Sequence, residues 1–108
     1  MSRSESKWRV LHASRRSEKE WRRAVTAEPD LMAAEKRRLE TSPTDRSANP
    51  RRTARLKGKL KDRLIGKTRL PQWQHEISSA GRVWYCVDKA DRIVWITKVA
   101  LTHPRETG

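Results

Sequence analysis

Residues 72–105 read QWQHEISSAGRVWYCVDKADRIVWITKVALTHPR, and their alternation decides the fold. Trp73, His75 and Ile77 alternate with Gln74 and Glu76. After a turn at Ser78 to Gly81, Val83, Tyr85 and Val87 alternate with Arg82, Trp84 and Cys86, and residues 92–99 alternate once more. A period of two is the signature of strands with one face buried. A hairpin centred on Lys89-Ala90 pairs Val87 with Arg92, Tyr85 with Val94, Trp84 with Trp95 and Arg82 with Thr97. Val83, Tyr85, Val87, Val94 and Ile96 then share a face that packs on helices. Arg82, Trp84, Cys86, Trp95 and Thr97 share the other.

Upstream, Trp8, Val10 and His12 alternate with Arg9 and Leu11, which predicts a first strand over 7–13. Ser17 with Glu20 three residues later has the form of a capping box and predicts a helix at about 16–27. Trp21, Ala24 and Val25 lie on its inner face, with Arg22 and Arg23 outside. Pro29 and Asp30 suit the first turn of a second helix at about 30–40, burying Leu31, Met32, Ala34 and Leu39. Residues 42–54 carry loop chemistry. Met1 to Ser6 has no apolar anchor and is expected to be disordered. Arg51 to Arg69 holds nine basic residues and one acid, a local net of +8. It is expected to be a basic connector that touches the core through Leu56, Leu60 and Leu64.

The chain of 108 residues suits one domain. With 34% apolar and 36% charged residues the core must be thin, lying between one sheet and a few helices. A net charge of +13 selects a polyanionic partner: nucleic acid, an acidic protein or an anionic membrane surface. No apolar run approaches a membrane span, and the first residues lack a secretory core, so the expectation is a cytoplasmic protein without a membrane partner. Cys86, the single cysteine, allows no internal disulfide and no zinc-type thiolate cluster. No Gly-rich phosphate loop or metal-ligand grouping is present, so no cofactor and no metal are expected.

The order of a strand, two helices, a basic connector and a three-stranded antiparallel meander resembles the RelE/ParE superfamily of bacterial toxin–antitoxin toxins. The motifs that carry the match are RLKGKL (55–60), WQHEI (73–77), GRVWYCVD (81–88), RIVWI (92–96) and THPRE (102–106). The WQ-x-E segment before a GR-x-WY strand is most similar to a ParE-like branch. The resemblance implies an α+β domain with helices on one face of a small four-stranded sheet. It also implies a cognate acidic antitoxin as partner.

In the superfamily's ribosome-dependent RNases, the 2′-hydroxyl of mRNA attacks the adjacent phosphate. That step needs a base, a cation for the phosphorane and an acid for the leaving 5′-oxygen. Carried over by motif, Arg82 would hold phosphate charge, Glu76 would serve as base, and His103 and Arg105 would supply an acid or second phosphate ligand. Arg51, Arg52, Arg55, Lys57, Lys59 and Lys61 would bind the RNA backbone, and Trp84 and Trp95 would stack on bases. The best-known RNase of the family has lysines where Gln74 and Glu76 stand.

Each of these residues also has a purely structural reading. Arg82 would pair with Glu76 at a strand end, Trp84 and Trp95 would pack together, His103 would be an exposed tail residue, Cys86 a small buried one, and His75 would pack against the helices. Three activities stay open: ribosome-dependent mRNA cleavage, which leads; poisoning of DNA gyrase by a toxin of the same fold; and non-catalytic binding of nucleic acid through residues 51–69.

Overall fold

The computed structural model describes residues 7–47 and 50–102. It contains strand β1 (Arg9–His12), helices α1 (Arg15–Ala27) and α2 (Pro29–Thr41), and strands β2 (Thr53–Arg55), β3 (Asp62–Ile65), β4 (Thr68–Glu76), β5 (Arg82–Asp88) and β6 (Ile93–Ala100). Strands β4, β5 and β6 form the expected antiparallel meander, and β1 returns parallel to β6. The expected terminal residues 1–6 and the site residues His103 and Arg105 lie outside the described residues.

Helix α1 starts within one residue of the expected bound, but its cap is Ser14 rather than Ser17. The Ala13 amide still bonds the Ile96 carbonyl, at 2.9 Å, so Ser14 is the first residue free to cap. The Ser14 hydroxyl accepts the Ser17 amide at 3.1 Å, and the Ser17 hydroxyl accepts the Ser14 amide at 3.2 Å. The capping box is therefore Ser14 with Ser17. On its inner face Ala24 is buried and Trp21 half-buried, but Val25 is exposed. In α2, Pro29 occupies the first turn as expected, and Met32, Glu35 and Leu39 are buried at helical spacing. Ala34, expected inside, is exposed, because Glu35 takes the inward direction.

Residues 51–69 are not a plain connector, and the sheet has six strands rather than four. Thr53 to Arg55 pairs with Trp73 to His75, and Asp62 to Ile65 turns back through Gly66 to pair with Thr68 to Pro71. Gly66 sits at φ +62 and Gly58, which opens a 3-10 turn over Gly58–Leu60, at φ +64. Both conformations favour glycine and allow the tight reversals. Leu60 and Leu64 are 45% and 55% exposed, so they do not anchor this segment to the core. Their four-residue spacing would align them on a helix, and the segment is not one.

The hairpin register is also corrected. Asp88 pairs with Ile93, Val87 with Val94, Cys86 with Trp95 and Tyr85 with Ile96. The connection is four residues, Lys89 to Arg92, closed by Arg92 at φ +54. This moves the pairing by two residues from the expected one, which leaves every side chain on its predicted face. Beyond Ile96 a bulge leaves Thr97 without an opposite residue, so Trp84 faces Lys98 and Arg82 faces Ala100.

Ala24, Met32, Leu39, Ile77, Val83, Tyr85, Val87, Val94, Ile96 and Val99 form the core between the helices and one sheet face. A polar chain is set into it. Arg38 donates to both oxygens of Glu35 at 2.9 Å and to the Tyr85 hydroxyl at 3.2 Å, and that hydroxyl donates to the Pro43 carbonyl at 2.6 Å. Burial raises the pKa of Glu35 and pushes that of Tyr85 up to about 12. His75 also faces the helices: Nδ1 meets the Thr53 hydroxyl at 2.7 Å and Nε2 lies 3.7 Å from Glu35. Because Arg38 already engages both Glu35 oxygens, burial and the charges of Arg38 and Arg52 prevail, and the His75 pKa falls to about 4. The imidazole is neutral near pH 7. No helix among the described residues is long and apolar enough to cross a membrane.

Candidate nucleic-acid interface

Alternation along β4 and β5 turns Gln72, Gln74, Glu76, Arg82, Trp84 and Cys86 to the face away from the helices. Glu76 and Arg82 stand directly opposite one another across the two strands. Ladder pairing of β4 and β5 ends there, and the Gly81 amide bonds the Ser78 hydroxyl at 2.9 Å in the intervening turn. The base and phosphate-binding residues implied by the motifs are therefore brought together on the expected face.

Trp84 and Trp95 are not brought together. The bulge at Thr97 sets Trp84 opposite Lys98, and Trp95 faces Cys86. The Trp84 indole donates to Gln74 Oε1 at 2.7 Å, and Lys98 Nζ lies 5.7 Å from its ring centroid. A half-buried indole held by a hydrogen bond, with a cation over its face, is a fixed plane rather than half of an aromatic pair.

The segment 58–64 covers part of this face. Gln72 donates to the Leu60 carbonyl at 2.9 Å and accepts from the Thr97 hydroxyl at 2.6 Å, bridging over β5. Beneath it Cys86 is buried, and burial raises its thiol pKa to about 11, so it is no nucleophile at neutral pH. The remaining open surface runs from Glu76 and Arg82 past Trp84 to Lys98.

Arg63 on β3 reaches the far end of that surface. With Arg16, Glu20, Trp84, Thr97 and Lys98 it lines an open cleft of about 240 Å³. None of Arg16, Arg63 and Lys98 is singled out by the sequence motifs. Arg63 sits in an apparent connector, Arg16 near a helix start, and Lys98 in a strand whose parity depends on the bulge. All nine basic residues of 51–69, including Arg51, Arg52, Arg55, Lys57, Lys59 and Lys61, are exposed. Arg55 is tied locally, its guanidinium 3.5 Å from Asp62 and 6.0 Å from the Trp73 ring centroid.

Among the described residues no group of His, Cys, Asp and Glu is placed to hold a metal ion. A carboxylate beside a guanidinium, set in a positive field, can accept a proton while charge on a phosphate is held.

No protein-family model matches the chain, and no curated protein matches its sequence. Among solved structures it is similar to a chain of the archaeal RelE–RelB complex from Pyrococcus horikoshii OT3, at 20% identity, with a TM-score of 0.61, over 94% of this chain and 98% of that one. The similarity runs nearly end to end in both proteins. The chain shares the α+β fold of that matched chain, the fold class that the resemblance to the RelE/ParE superfamily implies.

Proposed function

We infer that this protein is the toxin of a type II toxin–antitoxin pair, an endoribonuclease that cleaves ribosome-bound mRNA and so arrests translation. The observation that carries the reading is the Glu76–Arg82 juxtaposition, on the open face of a RelE-like fold beside nine exposed basic residues. Glu76 removes the proton from the 2′-hydroxyl, and the 2′-oxygen attacks the adjacent phosphorus. Arg82 holds the charge of the phosphorane through paired donors, with Arg105 as second ligand. The 5′-oxygen leaves with a proton from His103, giving a 2′,3′-cyclic phosphate and a 5′-hydroxyl. Lys57, Lys59 and their neighbours engage the RNA backbone. The partner that silences the toxin is an acidic antitoxin, and the neighbour's occurrence in a RelE–RelB complex supports one.

The test is to induce the protein in cells and map mRNA ends. New ends within translated codons are expected, and Arg82→Ala should lower their yield by about 10²–10³-fold. Intact mRNA during growth arrest would rule the reading out.

A gyrase-poisoning toxin is the second reading. It is favoured by Gln74 and Glu76 standing where the family's best-known RNase has lysines, and by Trp84 occupying the Gln74 carbonyl oxygen. In that case Glu76→Gln and Arg82→Ala would leave growth arrest intact, and cleaved DNA–gyrase complexes would accumulate. A non-catalytic binder would instead show steep salt dependence and no product.

A further inference from the structure

We propose that the cleft formed by Trp84, Lys98, Arg63 and Arg16 is a second nucleotide subsite, which takes the base and phosphate of the nucleotide next to the one held at Glu76 and Arg82. It rests on the reading of this face as one that takes single-stranded RNA.

Four elements converge on the cleft: Arg16 from α1, Arg63 from β3, Trp84 from β5 and Lys98 from β6. Trp84 is two residues from Arg82 on the same face, about 7 Å along the strand, within reach of the adjoining nucleotide. Its hydrogen bond to Gln74 fixes the plane of the indole, so little freedom is lost when a base stacks on it. Lys98, now over the ring, swings from the indole to the phosphate of the arriving nucleotide.

The cleft carries three cations against one carboxylate, a net of +2. Glu20 is already committed on both oxygens, one to the Val99 amide at 2.9 Å and the other 3.4 Å from Arg16 Nε. The Arg16 side chain is 84% exposed, so its guanidinium can meet a phosphate from solvent while Nε stays beside Glu20. Arg16 also lines a larger open cleft, of about 450 Å³, with Arg15, Lys19, Arg23 and the single carboxylate Glu20, so a strand leaving the subsite continues along α1 in a positive field.

The cations alone would suit an acidic peptide as well as RNA. The immobilised indole beside them favours the ligand that brings a flat ring and a phosphate together.

Binding is measured by fluorescence anisotropy with a short single-stranded oligoribonucleotide carrying 2′-deoxy sugars, which cannot be cleaved. Arg63→Glu and Lys98→Glu should each weaken binding about tenfold or more and lower the salt slope by about 0.7 per lost phosphate contact. Arg37→Glu, an equal charge change on the exposed side of α2, should alter affinity less than about twofold. Trp84→Ala should cost about tenfold or more, with folding checked by thermal unfolding.

Equal effects of Arg63→Glu, Lys98→Glu and Arg37→Glu would overturn the subsite. So would a poly-glutamate peptide that binds through Arg63 and Lys98 where the oligonucleotide does not. If mRNA stays intact on induction while Arg63→Glu and Lys98→Glu still abolish oligonucleotide binding, the cleavage reading falls and the subsite stands.

Discussion

Glu20 Oε1 accepts the backbone amide of Val99 at 2.9 Å, joining positions 79 residues apart. Strand β1 stops at His12, opposite Ile96, so the last part of β6 has no strand on that side. The α1 carboxylate takes the place of the missing ladder partner. Glu20→Ala strands this amide and should cost about 1–3 kcal/mol of stability by urea denaturation. Glu20→Gln keeps an acceptor and should recover most of it.

The Glu35–Arg38–Tyr85 chain should respond asymmetrically to mutation. Arg38→Met leaves a carboxylate whose side chain is 2% exposed without its partner, and should destabilise by about 3–5 kcal/mol. Tyr85→Phe removes a neutral hydroxyl that donates to Pro43 and accepts from Arg38, and should cost about 1–3 kcal/mol. Equal losses in the two variants would show that the ion pair holds no more than the phenol does.

Stability should fall on mild acidification. His75 titrates near 6.5 when unfolded and at about 4 when folded, so below pH 6.5 the unfolded chain binds the extra proton. The His75 contribution is present above pH 6.5 and is lost as the pH falls towards 4. Glu35, with a raised pKa, acts in the opposite sense and steadies the fold in acid. His75→Asn should flatten the urea midpoint between pH 6.5 and 4. An unchanged slope would place the titrating group elsewhere.

Gly58→Ala and Gly66→Ala should each cost about 1–2 kcal/mol, the backbone term alone, because both sit at positive φ with open space around the added methyl. Gly81→Ala fails for a different reason. Its Cβ would stand 2.7 Å from the Ser78 hydroxyl oxygen and 3.3 Å from the Leu101 carbonyl, so the turn between Glu76 and Arg82 must shift. Melting temperatures separate the cases: small losses at 58 and 66, and a larger one at 81.

What could be read in the sequence was what two-residue alternation encodes. The faces of β4, β5 and β6 came out correctly even though the hairpin register was displaced, because a shift of two preserves side-chain direction. Glu76 and Arg82 were placed on one face for the same reason. The strands inside 51–69 were hidden because their inward positions are few and their charges many, and because Gly58 and Gly66 look like helix breakers until their positive φ values show them as turns. The Glu35 network was hidden because a carboxylate on an amphipathic helix reads as solvent-facing until Arg38 is seen folded over it. Arg63 could not be assigned to the cleft, since only the path of β3 carries it there.

The bulge at Thr97 bears on how this chain is to be aligned with others. β6 carries one residue more than the ladder opposite it can match, and Thr97 absorbs the surplus. A deletion there would leave Trp84 facing Lys98 and Val83 facing Val99, whereas a gap placed after Val99 would point lysine inward and valine to the open face. An alignment across this strand therefore takes its gap at Thr97, and a chain with Thr97 removed should keep its core and the Gln72–Leu60 bond that holds the 58–64 segment, losing only the hydroxyl bond that Gln72 Oε1 accepts.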